Sequence, residues 1–169
     1  MTYTPANAGE SDPACRMIRH TLATLAYRAS KAVRGAPSEF SAFRTGPTSR
    51  TPGEILAHMG DLMAWALTIA QHRVEWRESP VQSWSEDVNR FFAGISALDE
   101  YLASGAACEF GTLGQLFQGP IADALTHTGQ LTLLRRLVGA PIRAENYQRA
   151  LIDVGQTGLQ QPPPQREFD

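Results

Sequence analysis

Residues 51–69 constrain this chain more than any other stretch. Thr51-Pro52-Gly53-Glu54 supplies an N-cap hydroxyl, a proline at the first helical position and a glutamate three residues after the cap. Each satisfies or tolerates the unpaired N–H groups of a first helical turn. Behind this start, Ile55, Met59, Leu62, Ala66 and Ile69 recur at spacings of four, three, four and three. Only a helix gathers these residues on one side, and the stripe they form is the seam of a helix bundle.

The rest of the chain repeats that period. A first helix is expected from about Pro13 to Val33, with Met17, Thr21, Leu25 and Ala29 on one face and Ile18 and Leu22 beside them. Gly35 and Pro37 end it. A third helix opens at Ser83-Trp84-Ser85-Glu86, a second capping box, and buries Val88, Phe91, Phe92, Ile95, Leu98 and Leu102. A fourth is expected to start near Gly119-Pro120 and to end near Gly139, before Pro141. No strand pattern and no internal repeat compete with this reading. The second helix is expected to fade between Arg73 and Glu78, which leaves only a short connection before the third. Short connections favour an all-α, four-helix up-down-up-down bundle with helices 2 and 4 parallel. Around it, residues 1–12 read as a flexible N-terminal segment, 13–155 as the bundle domain and 156–169 as a Pro-rich C-terminal tail, with a short helix expected within 144–154.

Charge and cysteine content narrow the function classes. A net charge of -2 with no basic stripe offers nothing for a phosphate backbone, so no nucleic-acid partner is expected. Leu62 to Ala70, the most apolar run, is too short to span a bilayer, and the polar N-terminus is unlike a signal peptide. A soluble, cytoplasmic protein without membrane association is expected. Cys15 and Cys108 form no CxxC pair; a disulfide between them is the alternative to the favoured reading, two ordinary thiols in a reducing compartment. Signatures of a P-loop, a nucleophile elbow, a dinucleotide-binding loop and a zincin helix are all absent from the sequence.

What remains is a histidine–carboxylate set. His58 sits between Ile55 and Leu62 of the seam, where an imidazole is either a hydrogen-bonded packing residue or a ligand. Asp123 and His127 are four apart and project from one helical face. An acidic residue in a first turn is also favoured by the helix dipole alone. His58 lies about seven residues past its cap and His127 about eight past Gly119, so parallel helices would set them level. Glu54 is a fourth ligand, a base or simply the capping-box glutamate, and Gln130 either orients a ligand or makes an interhelical hydrogen bond. Asp61 reads as surface, as does His72 near a helix end, and Trp65, Trp76 and Trp84 as packing aromatics.

The segments Thr51-Pro52-Gly53-Glu54-Ile55-Leu56-Ala57-His58-Met59 and Ala122-Asp123-Ala124-Leu125-Thr126-His127-Thr128-Gly129-Gln130-Leu131 resemble the DinB-like (DinB/YfiT-like) superfamily of helical-bundle metalloproteins. The resemblance runs from the first helix to about Tyr147. It implies one divalent ion held by a histidine on helix 2 and an H-x-x-x-H pair on helix 4. His58 matches the first ligand and His127, followed by Thr128-Gly129-Gln130, the last; Asp123 stands where the pair has its first histidine. Two histidines and a carboxylate suit zinc, nickel, iron or manganese and leave positions open. The resemblance further implies a metal-dependent enzyme acting on a small-molecule substrate with a low-molecular-weight bacterial thiol, and a homodimer through helix faces. The alternative is a non-catalytic ligand-binding or dimerising bundle with a structural or vestigial metal site.

Overall fold

The computed structural model describes residues 12–106 and 109–168. The expected flexible segment 1–12 lies outside them except for Asp12, whose carboxylate accepts the Cys15 N–H at 2.7 Å and caps the first helix. Four helical runs carry the fold: α1 (Pro13–Val33), α2 (Pro52–Ala70), α3 (Trp84–Ala103), and a last run made of α4 (Phe110–Leu116), a π-helical segment (Phe117–Ile121) and α5 (Ala122–Leu137). Both capping boxes form as the sequence indicated, with Thr51 and Glu54 on α2 and Ser83 and Glu86 on α3 exchanging side-chain and backbone hydrogen bonds. Among the described residues there is no strand, only an isolated bridge between Glu145 and Glu167. No helix among them is long and apolar enough to cross a membrane.

Leu22, Leu25, Leu56, Met59, Met63, Phe91, Ile95 and Leu98 fill the centre with essentially no exposure. The buried stripe of α1 is rotated from the expected one: Ile18, Leu22, Leu25 and Ala29 are inside, whereas Met17 is 63% exposed. Cys15 is disulfide-bonded, which corrects the expectation of a free thiol there; Cys108 lies outside the described residues.

Side-chain contacts give the helix directions and overturn the up-down-up-down topology. Arg90 of α3 reaches Asp61 Oδ1 at 2.5 Å and the Ala57 carbonyl at 2.6 Å, and a Cβ on Gly94 would stand 2.7 Å from the Met63 Cβ. Contacts that climb together mean that α2 and α3 run parallel. On α1 and α3 they run oppositely: Arg19 pairs with Asp99 at 2.9 Å, while Val33 and Arg34 share a cavity wall with Trp84 and Val88. On α2 and α5 they also run oppositely: Ile55 lines one cavity with Gln130 and Leu134, whereas Trp65 lies against Gly119. Helices 2 and 4 of the sequence reading are therefore antiparallel.

The reason is the α2–α3 connection. The second helix stops at Ala70 instead of fading towards Glu78, and His72 and Val74, both with positive φ, turn the chain back. Residues 71–83 then return along α2. Glu75 N donates to Thr68 Oγ1, Ser79 N donates to Asp61 Oδ2, and Val81 comes within reach of Gly53. An extended chain of this length spans roughly 40 Å, more than the roughly 28 Å of α2, so a parallel third helix is reachable.

Two further expectations change. The last run begins at Phe110 rather than at Gly119-Pro120, because Pro120 is absorbed into the π segment. Proline lacks the N–H that an α-turn would use and crowds the preceding turn; a widened turn accommodates it. In place of a helix within 144–154 there is one 3₁₀ turn, Tyr147–Arg149. The Pro-rich segment after it is extended but packed: Thr157 is buried with its hydroxyl 2.8 Å from Ser96 Oγ, and Phe168 N donates to the Ala144 carbonyl.

Candidate metal centre

The antiparallel arrangement still brings the expected residues together. His58 lies six residues beyond Pro52 of α2, and His127 ten before Leu137 of α5. These offsets are unequal, and the contacts on either side, Ile55 with Gln130 and Leu134 and Trp65 with Gly119, are what set the pair level. The depth argument from the sequence thus reached the right pairing through a wrong helix start and a wrong direction.

His58, Asp123 and His127 each offer a donor atom, and the three atoms lie within 4.8 Å of one another. Asp123 is central: Oδ2 is 3.4 Å from His58 Nε2, and Oδ1 is 3.4 Å from His127 Nε2. The two imidazoles are nearly perpendicular, with centroids 5.0 Å apart. A gradient of exposure crosses the site, from 10% for the His127 side chain through 22% for His58 to 45% for Asp123. The cluster is anchored inside the bundle on its histidine side and open to solvent on its carboxylate side.

Neighbours orient the rings. His127 Nδ1 is 2.8 Å from Gln130 Oε1. With the amide oxygen turned to the ring, Nδ1 is the donor of this pair, and Nε2 is the ring nitrogen that faces Asp123. Trp76, on the returning segment, packs edge-on to His58 at 5.7 Å, and Trp65 packs edge-on to Trp76 at the same spacing. One residue before His58, Arg90 Nη2 holds the Ala57 carbonyl, while Nη1 holds Asp61 and the Ser79 hydroxyl and Nε holds Asp87. Asp61 is therefore a buried ion-pair partner, 2% exposed, and not the surface residue the sequence suggested. Gly60 makes this possible, since a Cβ there would stand 2.8 Å from the Arg90 guanidinium carbon.

The donor chemistry fits a divalent ion. A tetrahedral ion held at about 2.1 Å by nitrogen and oxygen sets its donors about 3.4 Å apart. Each imidazole nitrogen stands that far from an Asp123 oxygen, Oδ2 for His58 and Oδ1 for His127, so the carboxylate would turn to offer one oxygen to an ion. Both separations are longer than the roughly 2.8 Å of a direct hydrogen bond between charged groups. In the neutral ring the Nε2 lone pair of His127 would face a carboxylate oxygen, and a cation between them would remove that repulsion.

Of the two auxiliary candidates, Gln130 is at the site and Glu54 is not among its donors. The Glu54 carboxylate accepts from Thr51 N at 2.7 Å and pairs with Arg44 at 3.2 Å. The Thr51 N–H first, and Arg44 after it, hold the Glu54 carboxyl below its usual range. This is the capping role, completed by a surface ion pair. Arg90 was missed in the sequence, and Trp76 was read as a packing aromatic without its place beside His58. A lone Asp61 on an apolar stripe was the signal for the first; nothing near Trp76 announced that its segment folds back.

Each donor also lines its own surface cavity. His58 borders a polar one of about 300 Å³ with Arg44, Arg50, Glu54 and Asp61. His127 borders one of about 400 Å³ with Arg50, Gln130 and Leu133. Asp123 borders a third of about 430 Å³ with Trp65 and Gly119. Comparison of the chain with family models, with curated proteins and with solved structures gave no match.

Proposed function

We propose that this protein binds one divalent transition metal ion through His58, Asp123 and His127, and that it is a DinB-like metal-assisted enzyme of the thiol-dependent transferase kind. The observation that carries the reading is the convergence of three donors from two helices within 4.8 Å, one imidazole fixed by Gln130. Zinc, nickel, iron and manganese all accept two imidazoles and a carboxylate. When bound, such an ion supplies the Lewis acidity that makes a thiol or a water a nucleophile near neutral pH. The chain's own residues do the rest. Gln130 holds the His127 tautomer, Trp76 and Trp65 screen His58, and exposed Asp123 leaves the outer side open to a low-molecular-weight thiol or another small substrate.

Elemental analysis of protein purified without chelators tests this. About one transition metal per chain is expected in the wild type and loss of it in His127→Ala. Stoichiometric metal in His127→Ala would sink the assignment. A second reading is favoured by one observation: Asp123 stands 3.4 Å from both imidazoles and can bridge two protonated rings with no ion. The bundle is then a non-catalytic one with a vestigial site. Metal-free wild-type protein whose melting temperature ignores added zinc would select it.

A further inference from the structure

The cavity beside His127 has an asymmetric lining. Ile55, Leu133 and Leu134 make it mostly apolar, His127 and Gln130 add polar atoms to its wall, and Arg50 brings the one guanidinium. The same Arg50 also borders the polar cavity next to His58. The other cations nearby are committed: Arg44 to Glu54 and the Ser49 carbonyl, and Arg90 to Asp61 and Asp87. Arg50 makes no hydrogen bond or ion pair with another described residue, and it is exposed. A guanidinium offers a planar fork that matches a carboxylate. A pocket of this size with an apolar wall and one polar anchor is the usual form of a small-ligand site.

Resting on the metal-site reading, we propose that Arg50 sets substrate class: the cavity between Arg50 and His127 takes a small monocarboxylate, its acid group on Arg50 and its apolar body against Ile55, Leu133 and Leu134. Arg50 is a binding residue of the substrate's far end, and the reacting end faces His127. Carboxylate ligands are thereby selected over neutral or cationic ones of equal length.

Titration calorimetry of the protein as purified, with hexanoate, 1-hexanol and hexylammonium as probes, tests this. Hexanoate is expected to bind about tenfold or more tighter than hexanol, as one hydrogen-bonded charge pair allows. Arg50→Gln should lose that margin while keeping its metal content and its hexanol affinity. Arg50→Lys should retain part of it. Leu133→Asp, at an exposed position that leaves the core alone, should repel hexanoate and spare hexylammonium. Equal affinities for hexanoate and hexanol, or an Arg50→Gln protein that binds hexanoate like the wild type, would overturn the proposal. So would hexanoate binding that vanishes in His127→Ala but survives in Arg50→Gln, because the acid would then sit on the ion. Arg50-dependent binding that persists in metal-free His127→Ala supports the pocket whatever the elemental analysis says of the metal.

Discussion

Replacing Arg90 by methionine probes the joint on which both the topology and the site depend. Arg90 bonds Asp61 at 2.5 Å, Asp87 at 3.2 Å, the Ala57 carbonyl at 2.6 Å and the Ser79 hydroxyl at 3.3 Å. Its side chain is 24% exposed, and the carboxylates of Asp61 and Asp87 are 3% and 1% exposed. Methionine fills most of the volume but leaves two buried carboxylates without their cation. Removing one partner of a buried pair costs about 3–5 kcal/mol. Each carboxylate keeps one backbone donor, Ser79 N for Asp61 and Gln82 N for Asp87, which argues for the lower half of that range. With a urea m-value of about 2 kcal/mol/M, the midpoint should fall by roughly 1.5–2 M. The control is Arg73→Met, whose pair with Glu75 is long at 3.7 Å and exposed, and whose effect should stay under about 0.5 M. Circular dichroism during urea titration measures both. An Arg90→Met midpoint within 0.3 M of the control, a margin of roughly 0.6 kcal/mol at that slope, would refute the claim that this guanidinium ties α2, α3 and the returning segment together.

Three other outcomes follow from the same contacts. Gln130→Ala frees His127 Nδ1 and should weaken metal binding by about 10–100-fold in competition with a chelator, without loss of helix content. Gly94→Ala forces a Cβ to within 2.7 Å of the Met63 Cβ at the α2–α3 contact, and should destabilise by about 1–3 kcal/mol, read as a lowered melting temperature. Alkaline pH should unfold the protein through the cluster of Tyr27, Lys31, Glu145 and Glu167. Burial first, then the hydrogen bond to Glu145, pushes the Tyr27 hydroxyl well above its ordinary 10.0. Burial pulls the Lys31 ammonium down, but its bonds to Glu145 and Glu167 outweigh this and raise it above 10.5. In both cases the native state holds its proton more tightly than the unfolded chain, so stability is full below about pH 10 and is lost as pH rises through the raised values. Tyr27→Phe should flatten the fall in melting temperature above about pH 10; an unchanged slope would contradict the assignment.

Local rules carried most of the fold into the sequence, and connection geometry carried the rest out of reach. Thr51 and Ser83 announce their helices because a cap is a contact over three residues, and Ile55 to Ile69 announce their buried side because helix period is local. Helix direction is not local. It turned on Arg73 to Val81 folding back, and the hydrogen bonds from Glu75 to Thr68 and from Ser79 to Asp61 that hold this segment join positions the pattern does not connect. Pro120 misled for a similar reason: as a local signal it starts a helix, and only the π segment packed against Trp65 shows how a longer helix contains it. The metal candidates survived the topology error because Asp123 and His127 share a face at any helix direction, and His58 needed only to meet that face. Glu54, by contrast, had two readings at one position, and the capping box with Arg44 took its carboxylate. Arg50 carried no pattern at all; its place between two cavities exists only once the loop before α2 is folded.

The central claim is a single ion held between α2 and α5, and the most direct measurement is anomalous scattering from crystals of protein never exposed to chelator. One anomalous peak per chain is expected, at about 2.0–2.2 Å from His58 Nε2, His127 Nε2 and the Asp123 carboxylate. An empty position there at the absorption edges of zinc, nickel, iron and manganese would contradict it. So would a peak that Asp123 does not touch.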